Sequence, residues 1–555
     1  MQFQTSDALT NSPSKLHGWF GHYIKYASKY FWLFLSVVVF QTVAYQFSPL
    51  YHEPFNGDLA LYINIGKDWW RGIVPYVDIF DHKGPAFFEI FAGLELLGLN
   101  NYFGVFCVCI GINFVSAIFL FRLCNLWYST LLSILTTILS LALIFNIFAT
   151  EASLSAEVFI LPLFVIPLYY LVRALAFNRP LSRWHAVLIG IVIGGFFWAK
   201  ISLTAILLIP LLWWAVLVFR KNPEVDQKGL LRILQMLGGF IGISLIILIP
   251  LLFTKNAMSE MIGTYLFNIS QNHKVGFEFA RFLKGISVFN VLQSGFSLAW
   301  LVSGFSWIVL VLGLFAPNIS GVVKSCFAIS YITTAFLCSF YWIGATTLTF
   351  HFQIVYFIIM AAGLIQTSFE GYNWTKILAS LICLTAIASF MLFTYNRITR
   401  EWAVRFDKPF LESPTIIDQR RVMSANMTAA HYYCHNSRTF DISSLLVLSY
   451  YHTANQIGYY CAENYPTLPI PSTNFDYLRS VNDTNELNSL KDHVKKEIAA
   501  TQSDQVLIEV DNLSKIIDHW AYQSLRVNGY NISEIFVPNF GHYDNRYAVL
   551  FTKMK

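Results

Sequence analysis

Long apolar runs are the feature that most restricts this chain. Residues 30–48, 102–122, 128–148, 158–176, 236–253, 294–315, 325–343, 350–368 and 377–394, with a hairpin over 185–219, make about eleven stretches near the ~20 apolar residues that a bilayer-crossing helix needs. In lipid every backbone polar group has to be bonded inside its own segment, so such runs are helices. Composition agrees: 56% of the 555 residues are hydrophobic, 17% aromatic and only 12% charged, with a mean hydropathy of +0.53, outside the range of soluble domains. The expectation is an all-α polytopic membrane domain over residues 30–394.

Charge sets the orientation. The formal net charge of +5 is scattered over short loops, which excludes a nucleic-acid surface and reports topology instead. Lys15, Lys25 and Lys29 precede the first run without a cleavable leader, so residues 1–29 are read as a cytoplasmic segment and 30–48 as a retained anchor. Arg122, then Arg173, Arg179 and Arg183, then Arg220, Lys221, Lys228 and Arg232 recur on the inside. Loop 49–101 and the tail 395–555 fall outside by parity.

That first outer loop concentrates charge that is expensive near a bilayer unless it meets water or a ligand. Residues 56–85 read NGDLALYINIGKDWWRGIVPYVDIFDHKGP, and Glu53, Asp58, Asp68, Asp78, Asp81, Glu89 and Glu95 outnumber Lys67, Arg71 and Lys83. Leu59, Tyr62, Ile63, Gly66, Trp69 and Trp70 recur at helical spacing opposite Asn64, Lys67, Asp68 and Arg71, which predicts an interfacial helix stopped by Gly72 and Pro75. A second interfacial helix is expected over 86–98, after Pro85.

Past residue 395 charged residues return. SLLVLS (444–449), QVLIEV (505–510) and YAVLFT (547–552) read as strands separated by helix-like stretches, predicting a small extracytoplasmic α/β domain. Cys434 and Cys461 both lie there, and an oxidising compartment would permit a disulfide between them. P-loop, GxGxxG, HExxH and paired CxxC patterns are absent, so nucleotide hydrolysis, dinucleotide chemistry and a structural zinc site have no support.

The Gly57-Asp58 pair, the G-x-x-P-Y-x-D run from Gly72 to Asp78 and His82-Lys83-Gly84-Pro85 resemble the first outer loop of GT-C membrane glycosyltransferases, in the branch of protein O-mannosyltransferases and lipid A aminoarabinose transferases. The likeness is best over residues 50–200. It implies a GT-C-type fold in a bacterial inner membrane, a polyprenyl-phosphate sugar as donor and a glycan, glycolipid or protein as acceptor. No cofactor is implied as required, and a divalent cation is compatible. By the same resemblance Asp58 is the catalytic carboxylate, Lys83 meets the donor phosphate, and TEASLSAEVFILPLF presents a second acidic residue, Glu157 or else Glu151. Many relatives have a second proline where this chain has Gly84. Lys200 takes a donor-phosphate role, His273 and Lys274 stand where some relatives contact metal or phosphate, and His351 resembles the histidine of an HY-containing segment. Arg71, Asp78, Asp81 and His82 complete the candidates.

The chemistry suits these residue types. Transfer from a polyprenyl phosphate needs a base for the acceptor hydroxyl and cations for the departing phosphate, each worth about 10²-fold or more. A lone dominant carboxylate favours single displacement with inversion. Plainer readings stand beside these. Asp58 can cap its helix, Lys83 and Lys200 can snorkel to headgroups, and Glu151 or Glu157 can complement a helix dipole. Arg71, His273, Lys274 and His351 can be solvated or interfacial. The rival class is a transporter or flippase for a lipid-linked glycan, although no twofold-related halves are visible.

Overall fold

The computed structural model describes residues 30–43, 47–49, 57–77, 83–126, 130–150, 159–177, 181–201 and 223–267, segments of the tail between 445 and 554, and a few single positions. The first apolar run forms a short helix, α1 (Tyr30–Val43). Two helices of the 49–101 segment follow, α2 (Gly57–Trp70) and α3 (Pro85–Leu96), then α4 (Tyr102–Cys124) and α5 (Thr130–Thr150). A 3₁₀ turn at Leu161–Phe164 leads into α6 (Val165–Phe177), and α7 (Arg183–Ala199) and α8 (Pro223–Leu252) complete the main helices. A short α9 (Ala257–Met261) runs into a π turn, Ile262–Phe267. Among the described residues, two helices are long and apolar enough to cross a membrane: α4, and α8 from Gly229 to Leu252. The expected spans beyond residue 290, and the second arm of the 185–219 hairpin, lie outside the described residues.

Local chemistry explains the ends. Asn101 caps α4 by accepting from Gly104 N at 2.8 Å, Ser182 caps α7 by accepting from His185 N, and Pro85 opens α3 where its missing N–H costs nothing. Gly72, at φ +92°, ends α2 as expected. Helix α8 begins thirteen residues before the run at 236, because hydropathy marks only its lipid-crossing part and the polar turns before it carry the helix on into water.

Packing relies on small residues. A Cβ on Gly190 of α7 would run into the Met236 carbonyl oxygen, and one on Gly239 of α8 into that of Val187, so the two backbones touch where lipid offers no hydrophobic drive. Polar side chains tie α1 to α4: Asn113 donates to Gln41 Oε1 at 2.9 Å, and Gln41 donates to the Phe106 carbonyl at 2.8 Å.

One expectation is corrected. Helix α2 does not rest one face on a surface, since every residue from Leu59 to Gly66 is buried, as is Asp68. Asn64 and Asp68, assigned to the wet face, are inside. Among the described residues of this helix and its end, exposure begins at Trp70 and Arg71, because α3 and its neighbours cover those before them.

The tail contributes strands β1 (Leu445–Leu448), β2 (Gln505–Val510), β3 (Tyr530–Phe536) and β4 (Tyr547–Lys553), with helix α10 (Trp520–Val527) before β3. Sheet order is β1-β2-β4-β3, parallel between β1 and β2 and otherwise antiparallel. Val506, Leu507 and Ile508 are successive and all buried, so both faces of β2 are covered there. Strand β3 escapes the sequence pattern because its register shifts between Ile532 and Glu534, which breaks the alternation.

Candidate active site

Helices α2 and α3 set the geometry. Tyr62 packs edge-on against Phe87 with centroids 4.6 Å apart, and a Cβ on Gly66 would lie 2.7 Å from the Phe91 carbonyl carbon. Each contact advances four residues on both helices, so the two run in the same sense. Their starts therefore share an end, Asp58 in the first turn of α2 and Lys83 just ahead of α3.

Lys83 is anchored on both sides. Tyr76 Oη donates to the Lys83 carbonyl at 2.6 Å, and Gly84 N donates to the Ala199 carbonyl at 3.1 Å. Tyr76 is buried at φ +73°, a region costly for a bulky side chain and held only where the surroundings dictate it. Ala199 closes α7, and Lys200 is its extended C-cap residue, with N–H donating to Phe196 O at 2.9 Å. The Gly84–Ala199 bond thus joins the two lysine-bearing backbones directly, and both lysines are half-buried.

The join explains Gly84. A Cβ there would run into the Trp198 carbonyl oxygen and lie 2.9 Å from the Ala199 carbonyl carbon, and a proline would also remove the donor to Ala199. The departure from the relatives' double proline is a packing requirement of this chain. From the other side Tyr265, in the π turn, donates its hydroxyl to the Phe197 carbonyl. Burial pushes its phenol up, keeping it a neutral donor. Helix α7 has 17 residues, about 25 Å, short of a ~30 Å core.

Arg71 sits exposed at the end of α2, its Nη1 3.9 Å from Asp68 Oδ1. Phe159, two residues past Glu157, packs near Phe87 and Phe91 with centroids 6.0 and 6.2 Å away. Glu157, Glu151, Asp78, Asp81, His82, His273, Lys274, His351, Cys434 and Cys461 lie outside the described residues. Among the described residues no three His, Cys, Asp or Glu side chains gather to hold a metal ion. Sequence reasoning overlooked Tyr76 and Tyr265, whose hydroxyls hold the lysine-bearing segments. The proximity of Tyr76 to the HKGP run was the one available signal for either.

Two short loop helices set against apolar helices, in a chain that also has a sheet-bearing tail, make a fold met in solved polytopic membrane proteins. Two solved structures share that fold with this chain. One is ArnT from Cupriavidus metallidurans bound to undecaprenyl phosphate, at 12% identity over 93% of this chain and 97% of that one, TM-score 0.56. The other is the same protein in the apo state, at 14% identity over 97% and 98%, TM-score 0.53. No protein-family model matches the chain, and no curated protein does.

Proposed function

We propose that the protein is a membrane glycosyltransferase that moves a sugar from a polyprenyl-phosphate donor to a glycan, glycolipid or protein on the extracytoplasmic face of a bacterial inner membrane. The observation that carries this reading is the backbone bond from Gly84 to Ala199, which joins the segments bearing Lys83 and Lys200 beside the end of the α2–α3 pair where Asp58 lies. The shared fold with an ArnT that binds undecaprenyl phosphate supports the choice of donor.

In the proposed step the donor phosphate lies against Lys83 and Lys200, with Arg71 at the rim. Asp58 removes the proton of an acceptor hydroxyl, whose oxygen attacks the anomeric carbon from the face opposite the phosphate. The carbon–oxygen bond to phosphate breaks, its electron pair leaves on the polyprenyl phosphate, and the configuration inverts. The two ammonium groups stabilise the phosphate as its charge grows. The second acid of the proposed site is Glu157 or Glu151. A titration with divalent cations in the same assay tests for a metal requirement.

The decisive experiment is Asp58→Asn in nanodiscs. The expected result is a loss of transfer of about 10² to 10⁴ with undecaprenyl phosphate binding retained. Unchanged glycan product would remove the catalytic role and leave a lipid-linked glycan flippase as the better reading.

A further inference from the structure

Glu89 is a half-buried acid that the step above does not use. It stands one turn beyond Pro85 on α3, and its Oε1 is fully enclosed without a hydrogen-bond partner among the described residues. Buried polar atoms are nearly always bonded, and an orphan costs about 1–3 kcal/mol. A group kept at that cost calls for a ligand.

Its place on the helix says where the ligand would be. The packed face of α3 carries Phe87, Phe88, Phe91 and Leu94, and Glu89 lies on the other side, in line with Pro85 and Gly93. Along that line exposure falls toward the N-terminus: Leu96 and Gly93 are exposed, Glu89 half-buried and Pro85 buried. A Cβ on Gly93 would meet nothing within 4 Å, so the surface of α3 one turn C-terminal to Glu89 is open. Helix side chains lean toward the N-terminus, which carries the carboxyl along α3 toward the end that Lys83 precedes. Burial pushes the acid up to about 8, so near neutral pH it is a carboxylic acid that both donates and accepts.

We propose that Glu89 is a specificity residue for the donor, binding hydroxyls of the sugar rather than its phosphate. A neutral acid offers one donor and one acceptor, which matches adjacent hydroxyls of a sugar ring. It adds no cation for a phosphate. The inference rests on the glycosyltransferase reading and deepens it.

The test compares two lipids on the wild type, Glu89→Leu and Glu89→Gln in nanodiscs: undecaprenyl phosphate, and a panel of its mannosyl, glucosyl and galactosyl derivatives. Glu89→Leu is expected to weaken the best-bound sugar lipid about tenfold or more while leaving bare undecaprenyl phosphate within about twofold, since one lost hydrogen bond with an unmatched partner is worth about a factor of ten. Glu89→Gln, which keeps a donor and an acceptor, is expected to stay within about threefold. Ligand-free Glu89→Leu should also melt no lower than wild type, because it removes an unsatisfied group; a purely structural glutamate would give the opposite. Equal weakening of both lipids, no weakening of either, or a lowered melting temperature each overturns the assignment. A wild type that binds neither lipid refutes the glycosyltransferase reading itself, and one that binds only bare undecaprenyl phosphate refutes this inference alone.

Discussion

Two helix pairs meet near the lysines, and each uses glycine differently. In α7–α8, Gly190 and Gly239 let backbones touch along a seam, while Leu230, Leu234, Leu237, Ile241 and Leu245 of α8 stay exposed to the lipid side. In α2–α3 one glycine, Gly66, fits against Phe91, and α2 is buried at every residue from Leu59 to Gly66. The first pair is half solvated by lipid, whereas the second is a core in its own right. In the proposed site Asp58 and Lys83 belong to the second pair and Lys200 to the tip of the first, so the enclosed pair supplies most of the rigid support such a site needs.

The strongest way to break this contrast is at the join between the pairs. Gly84→Pro places a ring against the Trp198 carbonyl and deletes the N–H that Ala199 accepts, and is expected to cost about 3 kcal/mol or more and abolish transfer. Gly84→Ala keeps the donor and should lose less. Thermal unfolding in detergent, run beside an assay of transfer, checks both. If Gly84→Pro is tolerated, as the relatives' double proline would suggest, the two lysine-bearing segments are not locked together.

Gly190→Leu disturbs only the lipid-facing pair. It forces α7 away from the Met236 carbonyl and is expected to cost about 1–3 kcal/mol. Because the seam lies two to three turns from Lys200, transfer per folded molecule should be kept within a few fold. A loss of donor binding as large as that at Gly84 would mean that the pairs are one mechanical unit.

Much of this was legible in one dimension. Apolar runs located α4, α5 and α7 to within two residues and the end of α6 to within one, because lipid burial depends on length and hydropathy alone, while the start of the 158–176 run is taken up by a 3₁₀ turn. Gly72 and Pro85 announced the ends of α2 and α3 through backbone chemistry. The burial of Asn64 and Asp68 was hidden, since polar positions at helical spacing read as a wet face until a neighbour covers them. The reason for Gly84 was hidden too. It depends on a carbonyl more than a hundred residues away, and nothing local encodes that approach.

The smallest effect sharpens the contrast most. Trp198 Nε1 donates to Ser244 Oγ at 2.7 Å, and Ser244 in turn donates to the Phe240 carbonyl at 2.7 Å, so one hydroxyl links the end of α7 to α8. Ser244→Ala leaves the indole N–H without its acceptor. In water-excluded protein an orphaned donor costs about 1–3 kcal/mol, but between membrane helices such bonds average only about 0.6 kcal/mol, because the separated helices find other partners. If α7–α8 is lipid-solvated as its exposed leucines indicate, Ser244→Ala should lower stability by about 0.6 kcal/mol in mixed micelles and leave donor binding within about twofold. A loss above about 2 kcal/mol would show that the tip of α7 behaves like the enclosed α2–α3 core, and the line between the two regions would then run below Trp198 rather than through the Gly84–Ala199 bond.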